Sequence, residues 1–191
     1  MDIKRFIRTV PDYPIDGVNF YDINSLFADG RLFNDTVDSM VRHIKVKTAS
    51  DYPTHIAGLE SRGFVIGAAV AHQMGLPFVM IRKKGAKYPG ILLEESYGTE
   101  YSQDTIVLQE GLLGHTNRVI LVDDLIATGG SMMAATRLVE QTGASVLCGA
   151  AIIDLKYAHA NDFDVETIAL DTDYGSPATA KVFDFPGIDN D

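Results

Sequence analysis

The apolar residues of this chain fall into two patterns that alternate along the sequence. One pattern is a short continuous run rich in β-branched residues, which predicts a strand buried on both faces of a sheet. Such runs occur at residues 54–59, 77–81, 119–122, 144–155 and 165–170. In the other pattern, apolar residues recur every three to four positions, which predicts an amphipathic helix. Segments of this kind cover residues 31–47, 65–74 and 132–141.

Because strands and helices alternate, the pattern predicts an α/β fold with a doubly wound, mainly parallel sheet of about five strands. Two regions depart from it. Residues 2–10 have helical spacing and predict a short helix, while the prolines and glycine of residues 11–22 predict an irregular loop. Residues 88–110 contain a single short strand pattern, at 105–108. We interpret this second region as a β-arm with a mobile tip over a binding site.

The most informative stretch is 119–135, where an apolar strand runs directly into two acids, Asp123 and Asp124. A turn of small residues, 127–131, then leads into a helix. Its two glycines let backbone amides approach an anion, and the helix N-terminus adds partial positive charge. Adjacent carboxylates suit the vicinal hydroxyls of a ribose or a divalent metal. The alternative interpretation is a polar strand-to-helix turn capped by Ser131.

Charge and composition narrow the classes of function. The formal net charge is −10, which argues against broad binding to nucleic acids or membranes. No apolar run approaches the roughly 20 residues that span a bilayer, and the first residues do not resemble a secretion signal. The single cysteine, Cys148, excludes an intramolecular disulfide. The basic run 82–87 stands out against this acidic background. We interpret its side chains as the cations that surround a bound pyrophosphate, and the alternative is a solvated turn.

Several motifs together carry a resemblance to a known family. Two acids followed by Thr-Gly-Gly-Ser resemble the signature of the type I phosphoribosyltransferases, which bind phosphoribosyl pyrophosphate. Residues 58–64, Gly-Leu-Glu-Ser-Arg-Gly-Phe, resemble the pyrophosphate loop of the adenine phosphoribosyltransferases. Residues 96–101, Ser-Tyr-Gly-Thr-Glu-Tyr, resemble that family's catalytic flap, and residues 11–23 resemble its base-binding hood. The resemblance covers about residues 5–157.

The resemblance implies a type I phosphoribosyltransferase fold in three parts. Residues 1–25 are expected to form an N-terminal helix and hood. Residues 26–170 are expected to form the core, with the flap at 83–108. Residues 171–191 are left as an acidic C-terminal tail. A non-proline cis peptide within 60–62 is also implied, as in related pyrophosphate loops.

The implied reaction is purine salvage: adenine and phosphoribosyl pyrophosphate give AMP and pyrophosphate, with Mg²⁺ held through substrate oxygens. The residues expected to bind phosphoribosyl pyrophosphate and AMP are Ser61, Arg62, Gly63, Arg82, Lys87, Tyr101, Asp123, Asp124, Ala127, Thr128, Gly129, Gly130 and Ser131. Within the basic run, Lys84 is an alternative to Lys87, because the loop is one residue longer than is usual in the family.

The resemblance also assigns the base site and the catalytic group. Adenine is expected to stack on Phe20, beside backbone groups near Val18 and Tyr21, with Leu155 as the opposite wall. The family often has Arg where this chain has Tyr21. Glu100, on the flap, is implied to be the general acid/base that handles the purine proton.

The resemblance further implies a cytoplasmic homodimer with small-molecule substrates and no nucleic-acid or membrane partner. Two alternatives stay open from the sequence. One is a phosphoribosyltransferase for another base, such as hypoxanthine, xanthine or orotate. The other is a non-catalytic regulator that senses phosphoribosyl pyrophosphate on the same fold.

Overall fold

The computed structural model of the chain describes residues 3–14, 16, 19–85, 87–98, 103–160, 165 and 167–171. Its strands are β1 (Arg8–Val10), β2 (Phe20–Asp22), β3 (His55–Leu59), β4 (Phe78–Lys83), β5 (Leu92–Gly98), β6 (Gln103–Gln109), β7 (Arg118–Ile126), β8 (Ser145–Asp154) and β9 (Thr167–Asp171). Its helices are α1 (Asn24–Phe27), α2 (Gly30–Lys47), α3 (Arg62–Met74) and α4 (Gly130–Glu140), with short 3-10 turns at Ile3–Phe6 and Lys156–Ala158.

The central sheet has seven strands in the order β5-β6-β4-β3-β7-β8-β9. The five strands from β4 to β9 in this order are parallel, which confirms the predicted fold class. At one edge β6 pairs antiparallel with β4, and β5 pairs antiparallel with β6. The predicted β-arm is therefore a hairpin that extends the main sheet.

Helices cover both faces of this sheet because the side chains of each central strand alternate between two cores. In β7, Ile120 and Val122 join a core that includes Met40 of α2. Leu121 points to the other face and joins a core that includes Leu138 of α4. The predicted helices are confirmed, although α3 begins at Arg62, three residues before the predicted start.

The prediction of a helix over residues 2–10 is wrong. After one 3-10 turn the chain becomes β1, which pairs antiparallel with β2 in a separate two-stranded sheet. Arg8 forms an ion pair with the buried Asp22 across these strands. Partners distant in the sequence thus override the local helical spacing. The positions that follow Asp171 lie outside the described residues, so the acidic tail stays a prediction.

The expected end of the central strand also needs correction. Strand β7 continues through Ile126, pairing with β8 beyond the two acids, so Asp123 and Asp124 lie within the strand. Pairing continues because β8 supplies backbone partners up to Asp154. No helix in the described part of the chain is both long and apolar enough to cross a bilayer.

Candidate active site

A cleft of about 830 Å³ lies at the carboxyl ends of β3 and β7. It is lined by Leu59, Glu60, Ser61, Arg62, Lys83, Tyr97, Gly98, Asp104, Ile106, Asp123, Asp124, Leu125, Ile126, Ala127, Thr128, Gly129, Gly130, Ser131 and Met132. Open parallel sheets bind their ligands at this end of the strands. The cleft brings together the predicted pyrophosphate loop, the two acids and the predicted phosphate loop.

The predicted pyrophosphate loop joins β3 to α3. Its peptide bond between Glu60 and Ser61 is cis, as expected. Glu60 Oε2 accepts a hydrogen bond of 2.8 Å from the backbone N–H of Lys83, which ties the loop to the end of β4. A Cβ atom at Gly63 would lie 2.7 Å from the carbonyl oxygen of Val122 and 2.9 Å from Oδ1 of Asp123. The loop therefore packs directly on the acid pair only because residue 63 has no side chain.

The two acids occupy different environments. Asp124 is buried, and its Oδ2 lies 2.8 Å from Nε of Arg62 without the angle of a hydrogen bond. Asp123 Oδ1 accepts a hydrogen bond of 2.9 Å from the backbone N–H of Asp124. Burial and the neighbouring Asp124 carboxylate raise the pKa of Asp123 well above its ordinary value. A second negative charge on the pair is therefore costly in the free protein, and a cation or hydroxyl donors would reduce that cost.

The predicted phosphate loop, residues 127–131, ends at the start of α4. Gly129 has a φ of 86° and is the N-cap of the helix, so the N-cap residue itself offers no side chain to the first turn. The N–H of Gly130 donates to Oγ1 of Thr128 over a long 3.4 Å, and an anion in the cleft can compete for the N–H groups at this end. The alternative in which Ser131 caps the helix is wrong, because Ser131 lies inside α4.

The basic run places its side chains in different surroundings. Arg82 lies 3.5 Å from Glu60 Oε2 and 5.4 Å from the centre of the Tyr88 ring, and it is absent from the cleft lining. Lys87 is exposed and does not line the cleft either. Lys84 pairs with Glu94 at 2.7 Å. Among the described residues of this run, Lys83 lines the cleft, and sequence reasoning missed it.

Tyr97 is a second residue that sequence reasoning did not assign. It lies on β5 and lines the cleft. Its ring also lies close to Gly130, because a Cβ atom added to Gly130 would be 3.4 Å from Cδ2 of Tyr97. Burial raises the pKa of its phenol, and a hydrogen bond from Ser131 opposes that shift. The motif Tyr-x-x-Glu-Tyr contains Tyr97, so the signal was present in the sequence. The sequence did not show that Tyr97 lies beside the phosphate loop, because that position depends on the packing of the β-arm against α4.

The predicted base site is described in part. The guanidinium carbon of Arg62 lies 5.8 Å from the centre of the Phe20 ring, so the hood strand β2 adjoins the pyrophosphate loop. Tyr21 is half-buried against the core, and Leu155 is fully buried directly after β8. Three predicted residues lie outside the described residues: Val18, Glu100 and Tyr101.

Comparisons with known proteins agree with this geometry. The phosphoribosyl transferase domain family matches residues 28–173. An adenine phosphoribosyltransferase from Paracidovorax citrulli is 46% identical over 153 residues, covering 80% of this chain and 82% of its own. The chain belongs to the adenine phosphoribosyltransferase family.

Solved structures of this family have the same fold. The adenine phosphoribosyltransferase of Saccharomyces cerevisiae, in complex with D-2,5-dideoxy-2,5-imino-altritol 1,6-bisphosphate and adenine, superposes with a TM-score of 0.83 at 33% identity, covering 88% of this chain and 96% of that one. The Trypanosoma brucei enzyme, in complex with AMP, pyrophosphate and ribose-5-phosphate, gives 0.75 at 28% identity, covering 87% and 76%. The family assignment therefore has both sequence and structural support.

Proposed function

We propose that the cleft transfers the phosphoribosyl group of phosphoribosyl pyrophosphate to adenine, giving AMP and pyrophosphate in purine salvage. The observation that supports this most is the meeting of three anion-binding and sugar-binding elements in one cleft: 60–62, the acid pair and 127–131. The related enzymes named above were solved with adenine, AMP or pyrophosphate. Membership of this family makes adenine the expected base.

Each element of the cleft fits one part of the substrate. The loop at Ser61–Gly63 offers backbone amides and the Arg62 guanidinium to the pyrophosphate, since arginine presents a fork of donors to phosphate oxygens. The carboxylates of Asp123 and Asp124 accept hydrogen bonds from the two ribose hydroxyls. The amides at the start of α4 hold the 5′-phosphate. Together these contacts fix the anomeric carbon, which reduces the entropy lost on reaching the transition state.

The basic residues 82–87 also receive roles in this division of the substrate. Lys83, at the cleft wall, compensates the charge that develops on the leaving pyrophosphate. In the described structure Arg82 contacts Glu60 and so supports the pyrophosphate loop. The same side chain is also expected to reach the pyrophosphate. Lys87 is expected to do the same from its exposed position, with Lys84 as the alternative.

The role of Glu100 rests on the flap motif. The strands that precede and follow this residue in the chain both contribute to the cleft wall, through Tyr97 and Gly98 on one side and Asp104 and Ile106 on the other. A carboxylate carried over the cleft can hold the purine proton as the new bond to the anomeric carbon forms. We propose that Glu100 is this group and that Tyr101 helps to cover the site.

The base is expected to lie between the hood and the end of β8. Phe20 is expected to offer a ring for stacking, beside Arg62. Leu155 is expected to be the opposite apolar wall, although it is fully buried and outside the cleft lining in the described structure. Backbone groups near Val18 and Tyr21 are expected to recognise the edge of adenine. Because Arg62 lies over Phe20 and beside Asp124, its side chain is expected to turn toward the pyrophosphate when base and sugar enter.

Magnesium belongs to this proposal. The donor set fits a hard cation: Asp123 and Asp124 line the cleft, and Oδ2 of Asp124 is buried with the Arg62 ion pair but without a hydrogen bond in the described structure. The ion would be held mainly by pyrophosphate and ribose oxygens, with Asp123 and Asp124 oriented toward those hydroxyls. When bound, it neutralises charge on the leaving group.

We also propose a homodimer that works in the cytoplasm. Val65 of α3 and Met80 of β4 are exposed apolar side chains, 48% and 39% accessible. Both lie on the α3 side of the sheet, since Met80 is two residues after Phe78 and shares its face, and the Phe78 ring contacts Phe64 of α3. A second subunit would cover such a surface. Phosphoribosyl pyrophosphate is highly charged and crosses membranes poorly, which favours the compartment where it is made.

The test is turnover of purified protein with phosphoribosyl pyrophosphate, Mg²⁺ and a panel of bases. We expect AMP formation from adenine, little product from hypoxanthine, xanthine or orotate, and loss of activity on chelation that added Mg²⁺ restores. Preferred use of another base would overturn the adenine assignment. Binding of phosphoribosyl pyrophosphate without product from any base would indicate the non-catalytic regulator instead.

A further inference from the structure

The end of β8 carries a buried acid with two side-chain partners. Asp154 is fully buried. Its Oδ1 lies 2.6 Å from Nε2 of His159, and its Oδ2 accepts a hydrogen bond of 2.9 Å from the Thr167 hydroxyl. His159 lies five residues further along the chain and has 18% of its side chain exposed. This contact therefore closes a short turn, residues 154–160, onto the end of the strand.

Backbone hydrogen bonds carry this turn to the predicted phosphate loop. The N–H of Leu155 donates to Ile126 at 2.8 Å, and that of Ala158 donates to Leu155 at 2.7 Å. The N–H of Ala160, the residue after His159, donates to the carbonyl oxygen of Thr128 at 2.9 Å. A side-chain contact at the end of one strand is thus connected to a residue of the anion-binding loop that follows its neighbour, β7.

The carbonyl of Thr128 matters because of what the loop must do. A turn that directs its N–H groups at an anion has to direct its carbonyl oxygens elsewhere and give them donors. The hydrogen bond from Ala160 meets that need for Thr128. Without it, the peptide between Thr128 and Gly129 can rotate, because Gly129 has no side chain to restrain its backbone. Rotation would turn a carbonyl oxygen toward the phosphate.

We propose that His159 is a positioning residue for the 5′-phosphate. Through its contact with Asp154 it places the N–H of Ala160, and this N–H fixes the carbonyl of Thr128 so that the loop amides face the cleft. The proposal rests on the proposed function, since it takes residues 127–131 as the 5′-phosphate site. It adds a residue outside the cleft lining to the set that determines affinity for the sugar phosphate.

Two substitutions interrupt this chain of contacts at different points. His159→Ala removes the contact with Asp154, and His159→Gln keeps a nitrogen donor at a similar reach. Ala160→Pro removes the N–H that Thr128 accepts while leaving the Asp154 contact in place. The backbone of His159, with φ −59° and ψ 137°, is of the kind that a following proline favours. His115→Ala, at an exposed histidine of a distant turn, is the control.

The measurements distinguish a specific effect on the 5′-phosphate site from a general loss of stability. The KM for phosphoribosyl pyrophosphate and the kcat are obtained by steady-state kinetics. Calorimetric titrations with ribose 5-phosphate and with pyrophosphate give the Kd of each part of the substrate. Thermal unfolding of each variant reports stability. The loss of one hydrogen bond that orders the loop is expected to raise two constants by roughly three- to tenfold. These are the KM for phosphoribosyl pyrophosphate and the Kd of ribose 5-phosphate.

We expect that increase in His159→Ala and Ala160→Pro, with kcat within about twofold and pyrophosphate affinity unchanged. His159→Gln should recover most of the wild-type KM, and His115→Ala should match wild type. Equal losses for all ligands together with a lower Tm would overturn the proposal in favour of a purely structural pair. Unchanged ribose 5-phosphate affinity in Ala160→Pro would overturn it as well, even if His159→Ala did not fold. A wild-type protein that makes no AMP refutes the proposed function instead, and the ribose 5-phosphate titrations still decide the role of His159.

Discussion

Arg62 Nε lies 2.8 Å from Oδ2 of Asp124, while the same guanidinium lies over the ring of Phe20 at 5.8 Å. One side chain thus connects the predicted pyrophosphate loop, the ribose acids and the base platform. Asp124 Oδ2 is buried, and its ion pair with Arg62 lacks the angle of a hydrogen bond. This oxygen is therefore still able to accept a hydrogen bond. A ribose hydroxyl can therefore supply the hydrogen bond that Arg62 does not.

Asp124→Asn should weaken the binding of phosphoribosyl pyrophosphate. Replacing a charged acceptor by a neutral amide is expected to cost on the order of 2 kcal/mol of binding free energy. Calorimetry with Mg²⁺ present measures the change. Asp51→Asn is a matched control, because Asp51 also lies 2.8 Å from an arginine Nε, that of Arg118, but on the surface away from the cleft. Unchanged affinity in the Asp124 variant would remove the ribose assignment.

Asp123→Asn should stabilise the free protein at neutral pH while weakening substrate binding. The pKa of Asp123 is raised in the folded state, so its contribution to stability is full below the unfolded pKa and is lost as pH rises through the folded pKa. At neutral pH the charged group therefore opposes folding, and a neutral amide relieves this. Each kcal/mol gained raises Tm by about 2–4 °C in a chain of this size.

Thermal unfolding of wild type and Asp123→Asn between acidic and neutral pH tests the sign. The difference in Tm should grow as pH rises and shrink toward the unfolded pKa of aspartate. A variant that is less stable than wild type at neutral pH would contradict the electrostatic argument. Improved stability without loss of substrate affinity would contradict the ribose role of this residue.

Gly63→Ala should disturb the pyrophosphate loop. The added Cβ would meet the Val122 carbonyl at 2.7 Å and Asp123 at 2.9 Å, and backbone cannot move aside cheaply. Such overpacking typically costs about 1–3 kcal/mol of stability. We expect lower Tm and weaker pyrophosphate binding. Gly30→Ala, where a Cβ meets nothing within 4 Å at the start of α2, should be neutral or stabilising. Similar behaviour of the two variants would contradict this packing argument.

Glu100→Gln should lower the rate of the chemical step and leave substrate binding nearly intact. A general acid/base contributes mainly in the transition state, typically about 100- to 10,000-fold in rate. Single-turnover formation of AMP, together with a titration of phosphoribosyl pyrophosphate, separates the two effects. Glu94→Gln, on strand β5 of the same arm, is the control. A wild-type chemical rate in the Glu100 variant would remove this residue from the catalytic list, and a loss due only to weaker adenine binding would make it a recognition residue.

Local sequence was sufficient for the elements whose pattern of apolar positions follows directly from burial, on one face of a helix or on both faces of a central strand. The long helix α2 and the strands β3 and β8 were predicted because their apolar spacing directly reflects contact with the core. The stretch 119–135 was equally clear, since a buried strand, two acids and a glycine turn each restrict the backbone or its charge locally. These features needed no knowledge of distant partners, and the order strand, acids, glycine turn and helix agrees with the structure; the end of the strand at Ile126 depended on pairing with β8.

The tertiary structure decided everything that depends on partners far apart in the chain. Residues 8–10 became a strand because residues 20–22 pair with them, although their own spacing favoured a helix. Lys83, and not its neighbour Arg82, lines the cleft because the pairing of β4 with β6 sets opposite directions for these two side chains. The contact of Ala160 with Thr128 joins residues 32 positions apart through a backbone N–H, which no side-chain pattern encodes. Sequence therefore determined the elements and the chemistry of the site, while long-range pairing determined which of its residues face the substrate.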